Sequence, residues 1–454
     1  MPPSATPASA TPAAFLKENG DLEAVQLFIT DPSGVPRGKT ASIGELERLF
    51  EHGRAVAGSI LGLDITGTDV DGSGLVWDTG DADLICRPVQ GTLSRAPWLS
   101  RPTAQLMLSM FAIDGPPAAA DPRHVLARAI ERLQARGLHP VLAVELEFYV
   151  LRDGQPAGSI ARGDGRIEAY GLARLEELAP VFDDVYAAAR LQGIPAETLM
   201  SEYAPGQFEI TLTHRDDALH AVDEAILLKR LLRGVAAKHG LLVTFMAKPF
   251  VDLAGSGMHL HVSLAAAAAG AAPNLFAAKD LAGTPLMRQA IAGLKATMAE
   301  SLLVFAPNGN SYRRFRSQSY APIAASWGVN NRSVSIRVPI GPAASRHLEH
   351  RIAGADANPY LAAATVLAGI EHDIANELDP GLPVTGNGYR DPAVKRELPQ
   401  TWQEAIDRAA DSRFLSAALG TDFLKIFLAI KRQECERFSA EVTELDRSWY
   451  LHST

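Results

Sequence analysis

Five short segments alternate apolar and polar positions with period two, and their polar sides carry Glu, His or Arg. VLAVELEFYV sets Glu145 and Glu147 against Leu142, Val144, Leu146, Phe148 and Val150. GQFEITL sets Gln207 and Glu209 against Phe208, Ile210 and Leu212. GMHLHVSL sets His259, His261 and Ser263 against Met258, Leu260, Val262 and Leu264. SVSIRVP sets Arg337 against Val334, Ile336 and Val338, and HLEHRI puts His347, Glu349 and Arg351 on one side. Each pattern predicts a strand with one face in a core. The other face lacks the Lys and Thr of an ordinary wet sheet. It suits a polyanion held with divalent cations.

Helices alternate with these strands. Asp121 is placed to N-cap a helix with Pro122 in its first turn. Val125, Leu126, Ala129, Ile130 and Leu133 form its stripe, and Gly137 stops it. DALHAVDEAILLKRLLRGVAAKHG is a long amphipathic helix ending at Gly240, and TPLMRQAIAGLKATMAESLLVFA reads as one continuous helix. PYLAAATVLAGIEHDIANEL follows the last polar-faced strand. Near the N-terminus, AVQLFITDPSGVPRGKT predicts a hairpin, and SILGLDITGTDVDGSG reads as a Gly- and Asp-rich loop. DGPPAAAD, Asp114 to Asp121, reads as a boundary. Ala265 to Ala272 reads as a hairpin tip, and LPVTGNGYRDPAVKRELP as a long loop. There is no internal repeat.

Composition narrows the field. The chain has 454 residues, enough for two or three domains, with 47% apolar and 21% charged positions, as in globular proteins. A net charge of -9 argues against nonspecific nucleic-acid or membrane-surface binding. Cys86 and Cys435 make neither a disulfide framework nor a CxxC motif, which points to a reducing cytoplasm. No run reaches the ~20 apolar residues of a membrane span. The opening MPPSATPASATPAAF lacks a basic and an apolar signal region and is expected to be a frayed tail over residues 1–20.

The polar positions have an ordinary reading and a chemical one. Glu145 and Glu147, roughly 6.5 Å apart along a strand face, are either solvated acids or hard ligands for two neighbouring Mg²⁺ or Mn²⁺ ions. Glu202 and Glu209 bracket a Pro-Gly turn, which either leaves them as loop acids or folds both toward one point. Gly255 and Gly257 precede the paired histidines, where backbone must pass close to a ligand. Arg313, Arg314, Arg332, Arg337 and Arg351 concentrate in one stretch. They are either surface ion-pair partners or bidentate clamps for carboxylate and phosphate. Arg337 sits amid Val and Ile, where an unpaired charge is costly. There is no GxxxxGK[ST], so no P-loop holds the phosphates.

In order, VELEF, PGQFE, TFMAKP, GSGMHLHVS, NSYRR, NNRSVSIR and the Glu349/Arg351 block with ADANPYLA resemble the glutamine synthetase superfamily. The resemblance runs from about Phe28 to the C-terminus. It implies an α+β fold, with a β-grasp domain over 21–115 and a catalytic domain over 116–454 built on a curved antiparallel sheet with flanking helices. It implies ATP as co-substrate, two or three Mg²⁺ or Mn²⁺ per site, and stacked hexameric rings (a homododecamer) with sites between subunits. Glu147, Glu202 and Glu209 match the ligands of one metal, and Glu145, His259 and Glu349 those of a second. His261 and Ser263 match nucleotide contacts, and Arg332 and Arg337 match phosphate-binding arginines. Arg314 and Arg351 match the grip on glutamate and the transferring phosphoryl group, with Gly255 beside the substrate. The implied reaction phosphorylates the glutamate γ-carboxylate, and an amine then displaces phosphate.

Four departures bear on the amine. Where ammonia-using members carry a flap Glu, this chain has Tyr320, just before Ala321 and Pro322. Their Asp-x-x-Ser reads Asp64 to Gly67 here; the Asn before GSGMH is Ala254; and an expected Arg is His347, beside Arg346. Losing an ammonium partner and gaining room and an aromatic wall fits an alkylamine. RGK at 37–39, AGSGMH, NSYRRF, ASWG and GADANPY are similar to γ-glutamylpolyamine (γ-glutamylputrescine) synthetases. The expected activity is therefore glutamate ligation to putrescine or a longer polyamine. The alternatives are an ammonia-using glutamine synthetase and a non-catalytic superfamily member.

Overall fold

In a computed structural model, the structure describes residues 11–152, 167, 169–267, 272–374, 376 and 378–453. Residues 268–271 of the Ala-rich hairpin tip, and 1–10 of the N-terminal tail, lie outside this set.

Two sheets follow one another along the chain. The first has β1 (Ala24–Thr30), β2 (Pro36–Ser42), β3 (Arg54–Ala57), β4 (Asp83–Pro88), β5 (Ser94–Arg95) and β6 (Thr103–Phe111), in the order β2-β1-β6-β4-β3 with β5 on β6. The β1–β2 hairpin is antiparallel, with Phe28 opposite Gly38, while β1 runs parallel to β6. The second sheet has β7 (His139–Arg152), β8 (Ala196–Ser201), β9 (Gln207–Leu212), β10 (Leu241–Thr244), β11 (Met258–Ala265), β12 (Trp327–Val329), β13 (Ile336–Val338) and β14 (Leu348–His350). Its order is β12-β13-β14-β11-β7-β9-β8, with β10 on β7, and only the β12–β13 pair is parallel.

The period-two pattern explains which face is inside. Leu142, Val144, Leu146, Phe148 and Val150 are at most 1% exposed and pack against Phe208, Ile210, Leu260 and Val262. Burying a side chain of this size contributes about 1.5–3 kcal/mol. The helices Pro122–Gln134, Ala218–Lys238, Pro285–Thr297 and Pro359–Ile374 cover that face and share its core. Asp121 caps the first of them by accepting from the backbone N–H of Arg123. With its apolar side sealed, the sheet turns its Glu, His and Arg side the other way.

Three expectations are corrected. The frayed tail does not extend to residue 20: Thr11 caps a helix over Pro12–Glu18, and Phe15 buries itself in the N-terminal core. The helix expected over 284–306 ends at Thr297 and resumes at Leu302–Phe305. There Thr297 Oγ1 donates to the Gly293 carbonyl at 2.9 Å and Ser301 Oγ to the Thr297 carbonyl at 2.7 Å, side-chain bonds of the kind that bend helices. Short 3₁₀ turns at Gly58–Leu61 and Asp71–Ser73 break up the Gly- and Asp-rich loop. The late helix Thr421–Ala440 also completes the first sheet's core through Ile426 and Ile430. Among the described residues, no helix is long and apolar enough to cross a membrane.

Candidate active site

Strand register aligns the polar positions into cross-strand rows. Arg337 faces Glu349, which faces His261; His259 faces Glu145; and Glu147 faces Glu209. Side chains directly opposite have Cβ atoms about 4.5–5.5 Å apart. The β8–β9 hairpin then brings Glu202 to Glu209: Gln207 accepts from the Glu202 N–H at 2.9 Å, and Gly206 takes φ +72° in the turn. One carboxylate oxygen from each of Glu147, Glu202 and Glu209 lies within 4.8 Å of the others. Glu145, Glu147 and His259 make a second such group, and Glu145, His261 and Glu349 a third.

Of these residues, Glu145, Glu147, Glu202, Glu209, His259 and Glu349 line a cavity of about 780 Å³. Arg314, Arg332, Arg337 and Arg351 line it too, with Gly255 between them. Tyr170, Tyr203 and Tyr320 add an aromatic wall, joined by Thr198, Met200 and Asn330. Tyr170, Tyr320 and Asn330 all hold φ between +48° and +61°, a left-handed backbone rare outside glycine and typical of ligand-facing loops. The long loop after Leu382 steadies this wall, with the Tyr389 hydroxyl donating to the Ala321 carbonyl at 2.9 Å.

At both Gly255 and Gly257 a side chain would run into Arg314, and at Gly255 also into the Ala247 carbonyl at 2.6 Å. A Cβ on Gly255 would stand 2.8 Å from Arg314 Cγ, and one on Gly257 would stand 2.7 Å from its Nη2. The buried Arg314 guanidinium donates to the Ile352 carbonyl at 2.8 Å and the Arg351 carbonyl at 3.3 Å. Gly257 N–H donates to Glu147 at 2.6 Å and fixes that carboxylate. Glu349 is held between Arg337, 2.6 Å away, and Arg351. Arg332 stands exposed at the cavity edge.

Electrostatics divide the acids into two sets. Burial, and then the charges of Glu145, Glu147 and Glu202, push Glu209 up to about 11. Burial and Glu147 push Glu202 up to about 7. Burial works upward on Glu145 also, but His259 and His261 outweigh it and hold that carboxyl well below its ordinary value. Burial of Glu349 is likewise outweighed, chiefly by Arg351, which leaves it at about 2. The Glu147, Glu202 and Glu209 group is thus an all-oxygen cluster that is short of positive charge. Hard divalent cations such as Mg²⁺ or Mn²⁺ suit such a set. Glu145, His259 and Glu349 form a mixed set that already has cationic partners.

Four sequence-singled residues lie elsewhere. His261 and Ser263 sit further along β11 and do not line the cavity; His261 bonds instead to Glu145 at 3.2 Å and His347 at 3.1 Å. Asp64 and Gly67 belong to the N-terminal part and do not reach the cavity within this chain. Asp64 is fully buried; it accepts from the backbone of Thr66 and Thr68, each at 2.9 Å, and pairs with Arg437. Conversely, the sequence does not mark Tyr170, Tyr203 and Asn330, since lone aromatic or amide residues in loops carry no periodic signal, nor Met200 on the short strand β8.

The fold and this acid-and-guanidinium cavity define a class, that of carboxylate-activating ligases. Residues 119–450 match the family model for the glutamine synthetase catalytic domain, and the chain belongs to that family. A ligase of this family uses ATP and a divalent metal. Among particular relatives, the chain is 38% identical over 446 residues to the gamma-glutamylputrescine synthetase PuuA of Escherichia coli K12, covering 96% of this chain and 93% of that protein. It is 34% identical to the gamma-glutamylethanolamide synthetase GlnA4 of Streptomyces coelicolor, covering 95% and 93%. It is 32% identical to a glutamate–isopropylamine ligase of a Pseudomonas species, covering 96% of each. Its fold is similar to that of GmaS solved with ADP, with a TM-score of 0.85, 26% identity, and 98% and 99% of the two chains covered.

Proposed function

We propose that this enzyme joins the γ-carboxylate of glutamate to a primary amine, with a di- or polyamine such as putrescine or spermidine as the preferred partner. The carrying observation is the cavity itself. It sets a charge-deficient acid cluster opposite arginines and lines the remainder with tyrosines.

In this reading, Glu147, Glu202 and Glu209 hold one Mg²⁺ or Mn²⁺, and Glu145, His259 and Glu349 another. The metals would supply charge neutralisation for the ATP phosphates. Arg332 and Arg337 bind the β- and γ-phosphates, and Arg314 and Arg351 orient glutamate and the transferred group. The γ-phosphoryl passes from ATP to the glutamate carboxylate oxygen, releasing ADP. The amine nitrogen then attacks the γ-carbonyl carbon, the carbon–oxygen bond to phosphate breaks, and an amide forms. Glu202 receives a proton from the incoming ammonium.

Tyr320 carries the amine preference. A flap carboxylate would favour NH₄⁺, whereas a half-open tyrosine face admits the methylene chain of an alkylamine and attracts its distal cation. The relatives that act on putrescine, ethanolamide-forming and isopropylamine substrates support an amine larger than ammonia. Asp64 and Gly67 would approach this pocket from a neighbouring copy, in stacked hexameric rings of twelve chains. The apolar residues Val442, Leu445, Trp449 and Leu451, each at least 56% exposed, support burial against such a copy. The domain division at 115/116 and a cytoplasmic setting belong to the same proposal. The test is phosphate release from ATP and glutamate across ammonium, ethylamine, ethanolamine, putrescine and spermidine. Turnover with a diamine should exceed that with ammonium at least tenfold; equal or faster ammonium turnover makes the enzyme a glutamine synthetase.

A further inference from the structure

His214, His261 and His347 come from the loop after β9, from β11 and from the residue before β14. Their ring centroids are 5.1–5.9 Å apart. One nitrogen from each lies within 4.8 Å of the other two. Hydrogen bonds fix how two of these rings face one another. His347 Nδ1 is 2.7 Å from the Ser345 carbonyl, an oxygen that only accepts, so Nδ1 carries the proton and Nε2 the lone pair. His261 Nε2 is 3.2 Å from the Glu145 carboxylate and donates to it. His261 Nδ1 and His347 Nε2 then face each other 3.1 Å apart, a spacing that either a shared proton or a bound metal ion satisfies.

We propose that these three imidazoles form a binding site for a borderline transition metal of the Zn²⁺ type, distinct from the hard-cation carboxylate sites. Two nitrogens bound to one tetrahedral zinc at about 2.05 Å are about 3.3 Å apart, close to the spacing here. Metal-binding histidines characteristically donate their outer N–H to a carboxylate or a backbone carbonyl, as His261 and His347 do. Imidazole favours Zn²⁺, Co²⁺ and Ni²⁺, whereas Mg²⁺ prefers oxygen, so the two kinds of site select different ions. His214 is exposed, which leaves the fourth position to solvent. The His261 bond to Glu145 ties this site to the acid row.

The test is Co²⁺ titration of the intact enzyme in excess Mg²⁺, which keeps the oxygen sites filled, followed by visible absorption. The wild type should take up one Co²⁺ per chain with the intense bands of four-coordinate cobalt, displaced by stoichiometric Zn²⁺. His214→Ala should lose those bands and bind at least tenfold more weakly, with its Mg²⁺-supported activity retained. His214→Cys should restore them and add a thiolate-to-cobalt charge-transfer band. A wild type with only six-coordinate cobalt, an unaltered spectrum in His214→Ala, or no charge-transfer band in His214→Cys would overturn the assignment.

Discussion

Replacing Glu209 by Gln should act in opposite directions on stability and on activity. Glu209 is 6% exposed and shares a space within 4.8 Å with carboxylate oxygens of Glu147 and Glu202. At that separation and an effective dielectric of ~20, one pair of like charges repels by about 3 kcal/mol. Metal-free wild type must either tolerate that repulsion or hold a proton well above the ordinary carboxyl value, and either course costs stability at pH 8. Glutamine keeps the shape and removes the charge. With some relaxation and water entry, Glu209→Gln should stabilise the metal-free protein by about 1–3 kcal/mol. The same change deprives a divalent cation of one ligand. Ligase turnover should fall by about 100-fold or more, with a higher Mg²⁺ requirement. Thermal melts in EDTA and in Mg²⁺, alongside phosphate-release kinetics over a Mg²⁺ series, measure both effects. A variant that melts lower than wild type in EDTA, or that keeps wild-type turnover and Mg²⁺ dependence, would refute the reasoning.

Three further outcomes follow from the same geometry. Tyr320→Glu should raise the ammonium-to-putrescine ratio of kcat/KM at least tenfold, read from the amine panel; an unchanged ratio removes Tyr320 from amine selection. The folded values of Glu202 and Glu209, about 7 and about 11, lie above the ordinary 4.5. Their protonated forms therefore contribute stability that is full below about 4.5 and is lost as pH rises through 7 and beyond. The metal-free melting temperature should fall between pH 6 and pH 8, and Mg²⁺ should raise it more at pH 8; an equal Mg²⁺ effect at both pH values contradicts the charge-deficient cluster. Gly257→Ala would place a Cβ 2.7 Å from Arg314 Nη2 and 2.9 Å from His259 Nε2. It should cost about 1–3 kcal/mol in stability and most of the activity, measured by melting and by phosphate release.

The second sheet was legible because one signal repeats in it. Leu142, Val144, Leu146, Phe148 and Val150 recur with period two, which predicts a strand and puts Glu145 and Glu147 together on its other face. Pairing was not legible. Nothing local states that Glu147 faces Glu209, or that His261 faces Glu349, because register is set by tertiary packing. The break at Thr297 coincides with hydroxyls bonding back to carbonyls, which periodicity does not register. The buried Lys431–Glu434 pair joins the helix Thr421–Ala440 to Ser33 in the β1–β2 turn, a contact that no window of sequence spans. His214 went unremarked for the same reason: alone in a polar loop it is unexceptional, and only folding brings it beside His261 and His347.

A crystal grown with Mn²⁺ and ADP, examined by anomalous diffraction, tests the convergence of these groups most directly. The expected result is a manganese peak among Glu147, Glu202 and Glu209, a second near Glu145, His259 and Glu349, and ADP phosphates within reach of Arg332 and Arg337. Manganese bound elsewhere, or the nucleotide outside this cavity, would contradict a single ligase centre built from these strands.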